Sequence, residues 1–164
     1  MAPISNAHKG KEVRNEVNRL KSQATSADQL MEGITALLNQ QMLKYNWVGF
    51  YMLELGPNPS ALVLGHYRGA MTPHTRIPLN QGICGAAASS GKTVVVDDVK
   101  LDPRYLSCSL ETKSEIVVPI FVRGKVVGEL DIDSHFLAAF GDEDRELIEY
   151  CAELVGTRLE QSAR

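Results

Sequence analysis

Four side chains in one short stretch could do chemistry together. Residues 114–120 (Ser-Glu-Ile-Val-Val-Pro-Ile) and 128–134 (Gly-Glu-Leu-Asp-Ile-Asp-Ser) each read as a β-strand, yet they carry Glu115, Asp131 and Asp133. A strand bordering a core should hold no bare carboxylates, because such groups are almost never inside without a partner. Cys108 lies just upstream. The combination suits a pocket that holds a small cationic group beside a thiol.

Elements with clear periodicity must position these residues. Val13, Val17 and Leu20 recur at helical spacing over residues 11–23, and residues 1–10 are expected to be a mobile tail. Ser26 with Gln29 matches a capping box and opens a second helix carrying Leu30, Ile34, Leu37, Leu38 and Met42. Residues 46–54 are aromatic and β-prone, and after the turn 56–60 the chain returns as a strand over 61–67. A short extended piece at 76–78, a small-residue helix at 83–90 and a strand at 92–96 follow, then a long irregular loop at 97–113. The closing helix, from 142 to about 161, has Leu147, Ile148, Cys151, Leu154, Val155 and Leu159 as its stripe. Helices at both ends around five or six strands joined by short turns predict an α+β domain with an antiparallel sheet, one domain over residues 11–164.

Strand alternation puts Ile116, Val118 and Ile120 on one face and Glu115 on the other. In the following strand Leu130 and Ile132 oppose Glu129, Asp131 and Asp133. The apolar faces coincide only if the hairpin loop has an odd number of residues. A three-residue loop, Arg123-Gly124-Lys125, meets this and predicts the pairs Val122 with Val126, Ile116 with Ile132 and Glu115 with Asp133. Glu115, Asp131 and Asp133 then cluster at one end of the hairpin, away from the helices. Two readings stand: a rim in open water, or a site for a ligand ammonium in which one carboxyl stays protonated.

Composition narrows the field. The 164 residues suffice for a real core, and a net charge of −3 without a Lys/Arg stripe gives no footprint for nucleic acid. No apolar run is long enough to span a bilayer and the N-terminus lacks a signal-peptide core, so a cytosolic protein without a membrane partner is expected. Three cysteines with no CxxC argue against a disulfide scaffold or a zinc site, and no cofactor or metal is expected.

The chain resembles the free methionine-(R)-sulfoxide reductases, which are single GAF domains. The resemblance runs over residues 25–160 and rests on Asn46-Trp47-Val48-Gly49-Phe50-Tyr51, Arg76-Ile77-Pro78, Gly82-Ile83-Cys84-Gly85, Ser107-Cys108, Ser114-Glu115-Ile116-Val117-Val118-Pro119 and Leu130-Asp131-Ile132-Asp133-Ser134. It implies a six-stranded antiparallel sheet, helices on one face, a small pocket on the other and often a homodimer. It also implies Cys108 as the catalytic cysteine, Cys84 as a second pocket cysteine, Glu115, Asp131 and Asp133 as substrate carboxylates, and Trp47 and Tyr51 as pocket aromatics. One departure matters: His74 stands two residues before Arg76, where the family typically has another cysteine that often acts as resolving thiol.

The activity so implied is reduction of free methionine-R-sulfoxide. A thiolate attacks sulfur while the oxygen is protonated, and the product is methionine plus a sulfenic acid on Cys108. Asp133 or Glu115 could supply the proton, Asp131 could hold the ammonium, and the Trp47 ring could cover the S-methyl group. Cys84, at what reads as a helix N-terminus that lowers a thiol's pKa, could resolve the sulfenic acid toward thioredoxin or a similar dithiol. An external thiol could do so directly instead. Cys84 could equally be a small residue at a close helix–sheet contact. The competing readings are a non-catalytic GAF domain binding an amino-acid-like ligand, and an interaction protein that dimerises through its terminal helices.

Overall fold

The computed structural model describes residues 6–107 and 109–162. The expectation placed on Cys108 therefore lies outside the described residues. The helices α1 (Asn6–Gln23) and α2 (Ala27–Gln41) lead into strands β1 (Trp47–Leu53), β2 (Ala61–Arg68) and β3 (Arg76–Pro78). Helix α3 (Gly82–Ser90) and strand β4 (Val94–Val96) follow, then one 3₁₀ turn (Val99–Leu101) in the long loop. The hairpin β5 (Ser114–Val122) and β6 (Lys125–Ser134) precedes the closing helix α4 (Asp142–Ser162). The six strands form one antiparallel sheet in the order β3-β2-β1-β6-β5-β4, which puts the hairpin beside β1.

Two elements differ from the expectation. Helix α1 begins at Asn6 rather than Lys11, so residues 6–10 of the expected tail are helical. Lys9 Nζ donates to Gln41 Oε1 at 2.8 Å, which ties this first part of α1 to the end of α2. Where α2 starts, the expected cap is present: Gln29 N donates to Ser26 Oγ at 3.1 Å, and Thr25 N donates to Gln29 Oε1 at 2.7 Å.

The hairpin differs more instructively. Val122 pairs with Lys125, so the turn has two residues, and both Arg123 (φ 51°) and Gly124 (φ 76°) take positive φ as a type I′ turn requires. An even loop would turn the carboxylates to the helix side. A bulge corrects this, because Ile120 pairs with Gly128 and Phe121 with Val126, leaving Val127 as the extra residue. The pairs Ile116–Ile132 and Glu115–Asp133 form as expected, whereas Val122–Val126 does not.

The parity so restored gives the sheet two unlike faces. Under α1, α2 and α4, the residues Val48, Phe50, Ile116, Ile120, Leu130 and Ile132 pack against Val17, Leu30, Ile34, Leu38, Ile148 and Val155, all fully buried. Cys151 lies in this core, and burial pushes its thiol up to about 12. On the other face a smaller cluster joins Trp47, Tyr51, Ile77 and Val117 to Ile83, Cys84 and Ala87 of α3. The carboxylates belong to this second layer.

Candidate active site

Register alone assembles most of the site. Trp47 pairs with Asp133, Gly49 with Asp131 and Tyr51 with Glu129, so two aromatics and three carboxyls share a face across two strands. A Cβ on Gly49 would sit 2.3 Å from the Trp47 ring, so only glycine lets the indole lie over β1. The ring is held between Tyr51 and Tyr67, with centroids at 6.1 and 5.6 Å. Its Nε1 donates to Ala70 O at 3.0 Å. Trp47 and Tyr51 thus line the acidic face, the side on which the sequence placed Glu115, Asp131 and Asp133.

The carboxyls are not on a wet rim. Glu115, Asp131 and Asp133 are 5%, 4% and 3% exposed, and Glu129 is 0% exposed. Burial pushes all four carboxyls above the usual carboxylate range. The neighbouring Asp131 and Asp133 raise Glu115 further, and their interaction with Glu115 in turn favours their own ionised forms. Among the described residues, Asp131 Oδ1 and Asp133 Oδ1 have no hydrogen-bond partner, and Glu129 has only the Cys84 thiol beside it. Among the described residues no ion pair involves any of the four. Such a cluster is one cation short.

Cys84 sits in the first turn of α3 directly over the carboxyls, and its Sγ donates to Asp131 Oδ2 at 3.5 Å. The surroundings of Cys84 oppose the lowered pKa that a helix terminus alone would give. Burial, then Asp131, Glu129 and Glu115, push the Cys84 thiol well above its ordinary value. The helix terminus is outweighed because desolvation and three neighbouring carboxyl groups oppose it.

His74 has two contacts here. Its backbone carbonyl accepts from Tyr51 Oη at 2.7 Å, and its Nε2 donates to Ser107 O at 3.0 Å. The ring therefore grips the chain immediately before Cys108. Two small cavities flank the carboxyls. One of about 70 Å³ is lined by Trp47, Thr72, Ser109 and Asp133, and one of about 20 Å³ by Tyr51, His74, Cys84, Glu115 and Asp131.

Glu129 was missed as a site residue. Its place in the alternation, two residues before Asp131, was a sufficient signal. Its distance from the hairpin's acidic end argued against it, and the α3 side chain that reaches it comes from a remote part of the chain.

Comparison with known proteins fits this geometry. The GAF domain family matches residues 26–159. A free methionine-R-sulfoxide reductase from Escherichia coli is 33% identical over 135 residues, covering 82% of this chain and 79% of that protein. One from Saccharomyces cerevisiae is 40% identical over 111 residues, covering 67% of this chain and 61% of that protein. The crystal structure of the Neisseria meningitidis free methionine-R-sulfoxide reductase in complex with its substrate superposes with a TM-score of 0.89 at 32% identity, covering 100% of this chain and 97% of that one. The fold is that of a GAF domain. Within that class the chain belongs to the free methionine-R-sulfoxide reductase family. No described helix is long and apolar enough to cross a membrane.

Proposed function

We propose that this chain reduces free L-methionine-(R)-sulfoxide to methionine, with Cys108 as the attacking thiol. The observation that carries the reading is the set of buried carboxyls, with no basic partner among the described residues, on the sheet face shared with Trp47. An isolated buried carboxylate is very unfavourable, whereas one bonded to an ammonium is not. The free amino group of an amino acid supplies that ammonium, and a methionine inside a peptide has none. Asp131, with Asp133, receives it in this reading.

The chemistry divides into two balanced halves. The Cys108 thiolate attacks the sulfoxide sulfur as Glu115 gives a proton to the oxygen. The hydroxyl passes to the cysteine sulfur, methionine departs, and Cys108 is left as a sulfenic acid. A dithiol such as thioredoxin then condenses with it, releasing water and forming a disulfide that the second thiol opens. Glu115 suits the acid's role because burial and its two neighbours hold the proton on it. The raised Cys84 thiol supports direct resolution of Cys108 by the external dithiol. His74, where relatives typically carry a further thiol, acts in this scheme by holding the segment before Cys108 through Ser107 O. A cytosolic setting, with its reduced thioredoxin pool, and a homodimer complete the reading.

Calorimetry on Cys108→Ser, which can bind but not turn over, tests the ammonium claim. Free methionine-R-sulfoxide should bind and its N-acetyl derivative should not. Equal affinity for the two would remove the basis of the reading.

A further inference from the structure

The thiol over the carboxyls has a consequence separate from sulfoxide reduction. Cys84 Sγ, one oxygen of Glu115 and one of Asp131 all lie within 4.8 Å of one another, and all three residues are buried. They come from α3, β5 and β6, so no local ligand spacing in the sequence would reveal them. A tetrahedral zinc ion with bonds of about 2.3 Å to sulfur and about 2.1 Å to oxygen holds those two ligands about 3.6 Å apart. The Cys84 Sγ–Asp131 Oδ2 distance is 3.5 Å.

A second observation points the same way. Among the described residues, Asp131 Oδ1 is buried without a hydrogen-bond partner, and the buried Glu129 carboxyl has only the Cys84 thiol beside it. Glu129 faces the Cys84 thiol, and among the described residues neither carboxyl has a positive partner. The adjoining cavity of about 20 Å³ leaves no room for the hydration waters that Mg²⁺ retains. One soft sulfur with two carboxyl oxygens selects a thiophilic ion that accepts low coordination.

We propose that Cys84, Glu115 and Asp131 form a binding site for a thiophilic divalent cation, Zn²⁺ above all, which inhibits the protein by occupying the carboxylates that receive the substrate ammonium. The inhibitory half rests on the proposed function; the binding half does not. Binding displaces the Cys84 proton and the carboxyl protons into solvent, so affinity rises with pH. Among the described residues, Glu129 and Asp133 on β6, Tyr51 on β1 and His74 are the other titratable groups facing the site. An ion held this way also keeps the Cys84 sulfur from oxidation.

The test uses reduced protein carrying Cys108→Ser, titrated with Cd²⁺ while the ultraviolet thiolate-to-metal charge-transfer band is followed, and Zn²⁺ as competitor. Cys151 is sealed in the opposite core, so the band reports Cys84. One equivalent should bind, Zn²⁺ should displace it, and free methionine-R-sulfoxide should weaken it. Adding Cys84→Ser should abolish the band. Adding Asp131→Asn should weaken binding about 100-fold or more, since even outer partners of a ligand are worth 10–100-fold. In the wild-type enzyme Zn²⁺ should raise KM and leave kcat unchanged. Absence of the band, or wild-type affinity in Asp131→Asn, overturns the proposal even if the enzyme turns over. A band without turnover leaves the metal site standing and removes the enzyme reading instead.

Discussion

Two adjacent residues, Asp131 and Ile132, belong to opposite worlds. Ile132 enters an apolar core with Val48, Phe50, Ile116 and Leu130 under the terminal helices. Asp131 enters a pocket with Glu115, Asp133, Glu129 and Cys84, where burial works against every ionised group. The same two strands supply both faces through a period of two. The difference teaches a division of labour. Stability comes from the helix-covered face, and that surplus tolerates a set of desolvated carboxyls kept for binding.

Substitutions in neighbouring positions should therefore have opposite signatures. The largest expected effect is on the core face. Ile132→Ala removes buried methyl groups at a site with no exposure and should cost about 2–5 kcal/mol in urea unfolding. A cost under that range would mean the core is looser than its burial implies. Asp131→Asn should leave folding intact but raise KM for free methionine-R-sulfoxide by roughly 10- to 150-fold, the worth of a charge-assisted bond at about 1.5–3 kcal/mol. An unchanged KM would locate the ammonium elsewhere.

The pocket's pH behaviour sharpens the contrast. A carboxyl raised in the folded state holds a proton that the unfolded chain releases near pH 4. Its contribution to stability is full below that pH and is lost as pH rises through the raised value. Thermal midpoints should thus fall on going from mildly acidic to neutral buffer. Glu115→Gln should flatten that decline, because the coupled proton is no longer at stake. A decline of wild-type size in Glu115→Gln would place its origin outside the pocket. Smallest of all, His74→Ala removes one ring hydrogen bond to Ser107 O, worth about 1 kcal/mol. It should lower kcat less than tenfold, with KM near wild type.

Much of this was legible in advance. The capping box at Ser26, the apolar stripe of α4 and the alternation in β5 and β6 follow from local rules and were read from the chain. The burial of the carboxyls was not, because open water satisfies the same alternation. What closes the pocket is α3 and the loop before β5, brought over the sheet by tertiary packing. The hairpin was expected with an odd loop and no bulge. An even I′ turn with Val127 bulged gives the same parity, since the rule constrains only their sum. The surroundings of Cys84 were not legible, because a helix terminus is visible in sequence, whereas carboxyls from two distant strands beneath it are not. The grip of His74 on Ser107 O is a long-range contact of the same kind.

The account turns on Cys108 acting over this anionic pocket. The most direct measurement is NADPH consumption with thioredoxin, thioredoxin reductase and free methionine-R-sulfoxide, for wild type, Cys84→Ser and Cys108→Ser. The account predicts turnover in the wild type, substantial turnover in Cys84→Ser with the external dithiol resolving directly, and none in Cys108→Ser. Turnover that survives in Cys108→Ser, or a wild type silent with both thioredoxin and a small dithiol, would contradict it.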